Sequence, residues 1–166
     1  MILGMSTETF TMVHVILSLI GIVTGIRVLI GMLSARRLPG WTLVFLTTTV
    51  LTSVTGFLFP ADHLLPSHVV GVISLVALAI AVLALYRFRL AGSWRWIYVL
   101  CAVLSLYLNV FVGVVQAFLK VPPLRAMAPT QSEPPFVVAQ LIVIAIVIVL
   151  GIRAVMRFRP MATTVA

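Results

Sequence analysis

The chain has 166 residues, 63% hydrophobic and only 8% charged, with a formal net charge of +8. Soluble domains carry about a quarter charged residues, so this composition excludes a water-soluble enzyme, a disordered chain and a nucleic-acid-binding domain. It predicts an all-α polytopic membrane helix bundle in a single transmembrane domain, 1–166, and the lone Cys101 excludes an internal disulfide, a CxxC redox pair and a cysteine-based zinc site.

A helix needs ~20 mostly apolar residues to cross the hydrocarbon of a bilayer, and five segments qualify. The first covers about 10–33 and ends at Ser34, Ala35, Arg36 and Arg37. It lacks a basic start, carries Glu8 instead, and has no small-x-small site after its long apolar run. It is therefore expected to stay as a span rather than be cleaved as a signal peptide. His14, Ser18, Gly21 and Gly25 share one helical face, and Gly21 with Gly25 forms a GxxxG packing seam. Arg27 sits roughly 6–9 Å inside the basic end of this span, within reach of a snorkelling side chain.

The second span covers about 41–59, between Pro39-Gly40 and Pro60, with Thr48, Thr52 and Thr55 on one face. Such hydroxyls usually bond their own helix backbone. The third covers about 68–86, entered through Pro66-Ser67 and closed by Arg87 and Arg89, with a stripe of Ser67, Gly71, Ser74, Ala77 and Ala81. The fourth covers about 96–119, between Arg95 and Lys120, and carries Ser105, Asn109, Gly113 and Gln116. Asn109 lies near mid-depth and must find a partner, an interhelical bond worth about 1–2 kcal/mol. The gap 120–135 holds five prolines, which stiffen it and fit it to lie as a lid across the bundle's mouth. The fifth span, about 136–155, is nearly pure aliphatic with Gln140 its one strongly polar side chain, and is expected to be the most lipid-exposed.

Arg36, Arg37, Arg87, Arg89, Arg95, Arg153, Arg157 and Arg159 fall on one side of these spans. Lys120 and Arg125 fall on the other, with all three acids, Glu8, Asp62 and Glu133. The positive-inside rule makes the first side cytoplasmic, so the N-terminus is expected outside and the C-terminus inside, with Trp41, Trp94 and Trp96 at the cytoplasmic headgroup level. The expected location is a bacterial inner membrane.

All three histidines, His14, His63 and His68, then fall on the outer side. Two histidines at matched depth on different helices are what a b-type haem requires, one on each ring face. The candidate site has His14 and His68 as ligands and His63 as substitute. Gly21 below His14 and Gly71 below His68 leave room for the porphyrin, and Lys120 or Arg125 meets the propionates. A histidine-only copper or zinc site on His14, His63 and His68, with Asp62 or Glu133, is a second expectation. A third is a quinone site, with His68 and Gln116 or Gln140 bonding the carbonyls. Asn109, Gln116, Glu133 and Gln140 are the candidate polar pocket.

The stretch Gln116-Ala-Phe-Leu-Lys-Val-Pro-Pro-Leu, continued by Ala128-Pro-Thr-Gln-Ser-Glu-Pro-Pro-Phe136, together with Thr55-Gly-Phe-Leu-Phe-Pro60 and Pro66-Ser-His-Val-Val-Gly71, resembles an uncharacterised family of short bacterial multi-spanning inner-membrane proteins over nearly the whole chain. That resemblance implies bacterial origin and no particular activity. A looser likeness is to cytochrome b561-type helix bundles, through outer histidines set over glycines. Those bundles carry four core helices and more histidine ligands than the three present here.

Three functions are therefore expected in competition. The first is an inner-membrane subunit without a soluble catalytic domain that supports a larger membrane complex at its periplasmic side. The second is a haem- or quinone-linked electron-transfer protein. The third is a small transporter, which suffers from having no acid in any span. The expected partners are the lipid bilayer and other membrane subunits or a second copy, and no nucleic acid.

Overall fold

The chain's helix boundaries follow from its capping residues. The computed structural model describes Ile2, residues 4–60 and residues 66–159. Ser6 caps α1 (Thr7–Leu33) by accepting from the Thr9 N–H at 3.1 Å, with Glu8 favourably placed in the first turn. Proline opens α2 (Pro39–Gly56) and α6 (Pro134–Arg157) at the position where its missing N–H costs nothing. Between them run α3 (Pro66–Val82), a π-helical turn at Leu83–Arg87, α4 (Trp94–Lys120) and the short α5 (Pro122–Met127), which occupies part of the proline-rich gap. Among the described residues the only strand-like feature is an isolated bridge between Ile2 and Met5.

Among the described residues four helices have the length and apolarity to cross a membrane: α1, the run Ser67–Arg87, α4 and α6. The sequence led us to expect five, and α2 is the one that falls short. Its 18 residues are rich in threonine, and the backbone absorbs those hydroxyls. Thr48, Thr52, Ser53 and Thr55 each donate to the carbonyl four residues back, at 2.7–2.9 Å, which removes most of the cost of burying them.

Helices α1 to α4 form a ring in which each packs on its chain neighbours and α4 closes back on α1, while α6 lies outside against α4 and α1. α1 and α3 are therefore diagonal, with α2 and α4 between them. The glycine seam of α1 is what lets the ring close. A Cβ on Gly25 would meet the Phe45 ring of α2 and the Leu106 side chain of α4 at 2.8 Å, so the absence of a side chain admits both helices. α6 is the least embedded span, with only Gly151 and Ala154 buried, as expected for the aliphatic segment. Arg27 is exposed on the outer surface of α1, the placement of a snorkelling side chain.

The two ends of the ring differ. The apolar core, including Val28, Met32, Phe45, Leu78, Ala81, Leu85, Val99, Leu106 and Phe158, fills the end where the arginines gather. The opposite end, built from the start of α1 and α3 and the end of α2 and α4, holds the polar side chains.

Candidate functional site

At that polar end the ring encloses a cavity of about 90 Å³. Its walls are His14 and Ser18 of α1, Thr49, Thr52, Ser53, Gly56 and Phe57 from the end of α2, Ser67, His68, Val70, Gly71 and Ser74 of α3, and Leu108, Asn109 and Val112 of α4. A helix that starts at this end brings its early residues here, so His14 on α1 and His68 on α3 come to the same depth on diagonal helices.

The hydrogen bonds fix most of these groups. His14 Nδ1 lies 2.8 Å from Thr55 Oγ1. The Thr55 hydroxyl already donates to the Leu51 carbonyl at 2.7 Å, and it has one proton to give. It therefore accepts from His14, so neutral His14 carries its proton on Nδ1 and keeps the Nε2 lone pair. Phe59 packs edge-on against the same ring, with centroids 5.2 Å apart. Ser18 donates to Asn109 Oδ1 at 2.8 Å, joining α1 to α4 and supplying the partner that a mid-depth amide needs. Ser53 and Ser74 lie 3.1 Å apart and join α2 to α3. The His68 imidazole stacks on Phe57 at 5.5 Å and 13°.

One wall group is left over. Thr49 is 1% exposed, and its hydroxyl has no hydrogen-bond partner within the protein. A buried hydroxyl without a partner costs about 1–3 kcal/mol, and such a group normally meets an ordered water or a ligand.

Four expected site residues, His14, His68, Gly71 and Asn109, thus share one cavity. Gly21 lies beneath it, covered by Asn109 and Thr49. Gln116, Lys120 and Arg125 are exposed and do not line it. Gln140 donates instead to the Phe111 carbonyl at 3.3 Å, between α6 and α4. Glu133 precedes α6 and accepts from the Thr130 N–H at 3.0 Å, the Thr130 hydroxyl at 2.9 Å and the Ser132 N–H at 3.1 Å. Desolvation pushes the Glu133 carboxyl up, but these donors together outweigh it and hold it below its usual range. Gln131 pins the same loop to α4 through the Val115 carbonyl at 3.0 Å. The candidate polar pocket of Asn109, Gln116, Glu133 and Gln140 is therefore dispersed, and only Asn109 reaches the cavity.

His63 and Asp62 lie outside the described residues. Among the described residues no group of three His, Cys, Asp or Glu is placed to hold a metal ion. The room expected for a porphyrin is taken by protein. A Cβ on Gly21 would meet Asn109 Nδ2 at 2.9 Å, and one on Gly71 would meet Phe57 Cζ at 2.9 Å. The cavity is also well below the ~300–1,000 Å³ of pockets that hold drug-sized ligands and cofactors, so the residues present do not fit a haem in this arrangement.

Thr49, Ser53 and Phe57 are wall residues that the sequence reading missed. Helical spacing places Thr49, Ser53 and Gly56 on the face next to Thr48 and Thr55, but spacing alone does not say whether that face meets lipid, a neighbour or a void. No protein-family model, curated protein or solved structure matches this chain.

Proposed function

We propose that this chain is a bacterial inner-membrane subunit whose outer-end cavity binds the ring of a quinone-type lipid, presenting it to a larger membrane complex at the periplasmic side. In this reading α2 joins the four apolar helices as a fifth span, with the N-terminus outside and the C-terminus in the cytoplasm. The observation that carries it is one cavity lined both by His14, which keeps its Nε2 lone pair, and by Thr49, whose buried hydroxyl has no hydrogen-bond partner within the protein. A quinol ring answers both, one hydroxyl oxygen accepting from Thr49 and the other hydroxyl donating to His14 Nε2. The Phe57–His68 stack and the side chains of Val70, Leu108 and Val112 supply the flat and apolar surfaces such a ring needs. A volume of about 90 Å³, at about 10–15 Å³ per water, holds a single six-membered ring and leaves the tail in the lipid. The reading assigns binding alone to this chain and routes no electron through it.

The competing haem site on His14 and His68 requires Phe57 to leave Gly71. A Soret band in the purified protein, lost in both His14→Ala and His68→Ala, would establish it in place of the present reading. The transporter reading gains nothing from the cavity, which among the described residues no Asp, Glu, Lys or Arg lines.

The test is binding of a short-chain quinol to detergent-purified protein, followed by thermal stabilisation. Thr49→Val is the informative variant. It replaces the orphan hydroxyl by a methyl of similar size, so the empty protein should hold or gain stability, while quinol binding should weaken by roughly two- to tenfold. Equal affinity in the variant, or no stabilisation of the wild type, would remove the proposal.

A further inference from the structure

The arginine-rich end of the bundle holds a second cavity, of about 50 Å³. Its floor is apolar, formed by Val28, Met32, Leu85, Tyr98 and Phe158, and Arg36 and Arg37 line it beside Thr42 and Tyr86. Val28, Met32, Tyr98 and Phe158 are each at most 4% exposed, while both arginines are exposed.

The backbone around this cavity is held in costly shapes. After α1 the Arg36 N–H returns to the Gly31 carbonyl at 2.9 Å and the Ala35 N–H to the Met32 carbonyl at 3.1 Å, the Schellman pattern. Its left-handed position, normally glycine, is occupied by Ala35 at φ +55°. On the facing side the π-helical turn Leu83–Arg87 carries Leu85 and Tyr86, and Arg89 and Leu90 follow it with φ of +49° and +61°. Left-handed non-glycine residues are strained and concentrate at functional sites, as π turns do. Of these, Ala35 directly precedes Arg36 of the lining, and Arg89 and Leu90 follow Tyr86 of the lining by three and four residues.

The electrostatics are one-sided. Of the chain's three acids, Glu8 opens α1 and Glu133 precedes α6, both at the other end of the bundle, and Asp62 lies outside the described residues. We propose that this cavity is a binding site for one anionic phospholipid, its phosphate held by Arg36 and Arg37 and the start of its tail laid on the Val28, Met32 and Phe158 floor. Guanidinium groups bind phosphate by charge-assisted, bidentate bonds. The apolar floor favours a phosphate that carries a tail over a free one. The site is independent of the quinone reading, since it shares no residue with that cavity and lies at the opposite end.

The experiment is native mass spectrometry of the full chain in detergent, titrated in parallel with phosphatidylglycerol, phosphatidylcholine and glycerol 3-phosphate. One phosphatidylglycerol should bind, and the Arg36→Gln/Arg37→Gln pair should weaken it by roughly tenfold or more. The Arg153→Gln/Arg157→Gln pair, which removes the same charge from exposed positions off the cavity, should leave it within about twofold. Thermal melting of both pairs checks that they fold. Equal losses in the two pairs would reduce the effect to general surface charge, and phosphatidylcholine binding as tightly would remove the anionic requirement. Glycerol 3-phosphate matching the lipid would remove the lipid. Any of these results overturns the proposal.

Discussion

Glu133 accepts three hydrogen bonds from the two residues that shape the turn before α6. Because its carboxyl is held below its ordinary value of 4.5, the ionised form contributes stability in the folded chain. That contribution is fully present above about pH 4.5 and is lost as pH falls through the lower folded value. The stability gap between the wild type and Glu133→Gln should therefore be open at neutral pH and close on acidification, as read from thermal melts across the acid range. A gap that widened in acid would contradict the geometry. At this scale the sequence was partly legible. His14, His68 and Asn109 stand out because a polar side chain in an apolar run must find a partner, and all three reach the same cavity. Thr49 and Ser53 were not legible as wall residues. A helix hydroxyl bonded to its own backbone has the same sequence signature whether it faces lipid, a neighbour or a void, and only the packed ring shows that Thr49, unlike Thr48, has no carbonyl partner. Gln116 and Glu133 were misplaced for a related reason, since depth along a helix was readable and the direction each side chain faces was not.

The glycines of α1 and α4 look alike in sequence and differ in what surrounds them. A Cβ on Gly25 would press into the Phe45 ring and Leu106 at 2.8 Å, whereas one on Gly113 would touch only the Ile22 side chain at 3.5 Å, an ordinary contact. Phe45 is 1% exposed and has nowhere to go. Gly25→Ala should therefore destabilise by about 1–3 kcal/mol through overpacking, while Gly113→Ala should be neutral or stabilise by up to about 1 kcal/mol through helix propensity. Reversible unfolding in mixed micelles reads both, and an equal cost at the two sites would mean that α1 does not pack as described. The span boundaries were legible because proline and arginine punctuate the apolar runs. The π-helical turn and the left-handed residues after it were not, since Tyr86 to Leu90 read as an ordinary basic helix end. The π-helical turn packs against α4, and at the same end Arg95 of α4 donates to the Phe158 carbonyl at 2.6 Å.

The molecule as a whole is a ring of four helices with an apolar half and a polar half, flanked by α6. Charge is divided unevenly between the two cavities, with histidines lining one and arginines the other. If the positive-inside count sets the topology, then in a Cys101→Ala background an impermeant maleimide should label Ser132→Cys on intact spheroplasts. It should label Arg159→Cys only after the membrane is opened. The reverse pattern would turn the quinone cavity towards the cytoplasm. Four of the five expected spans follow from apolarity alone, while α2, whose threonines satisfy their hydroxyls within the helix, falls short of that measure. The ring order was hidden, because any of the glycine or serine faces was a candidate seam until α2 and α4 were seen to share the one on α1.

The most direct test of the proposed quinol-binding cavity is photolabelling of the purified protein with an azido-quinol, followed by peptide mapping. Adducts should concentrate on the cavity segments 14–18, 49–57 and 67–74, and should diminish in Thr49→Val. Adducts confined to the outward face of α6, around Ile142, Ile146 and Val149, and unchanged in that variant, would show that the ring dissolves in lipid beside the bundle and never enters it.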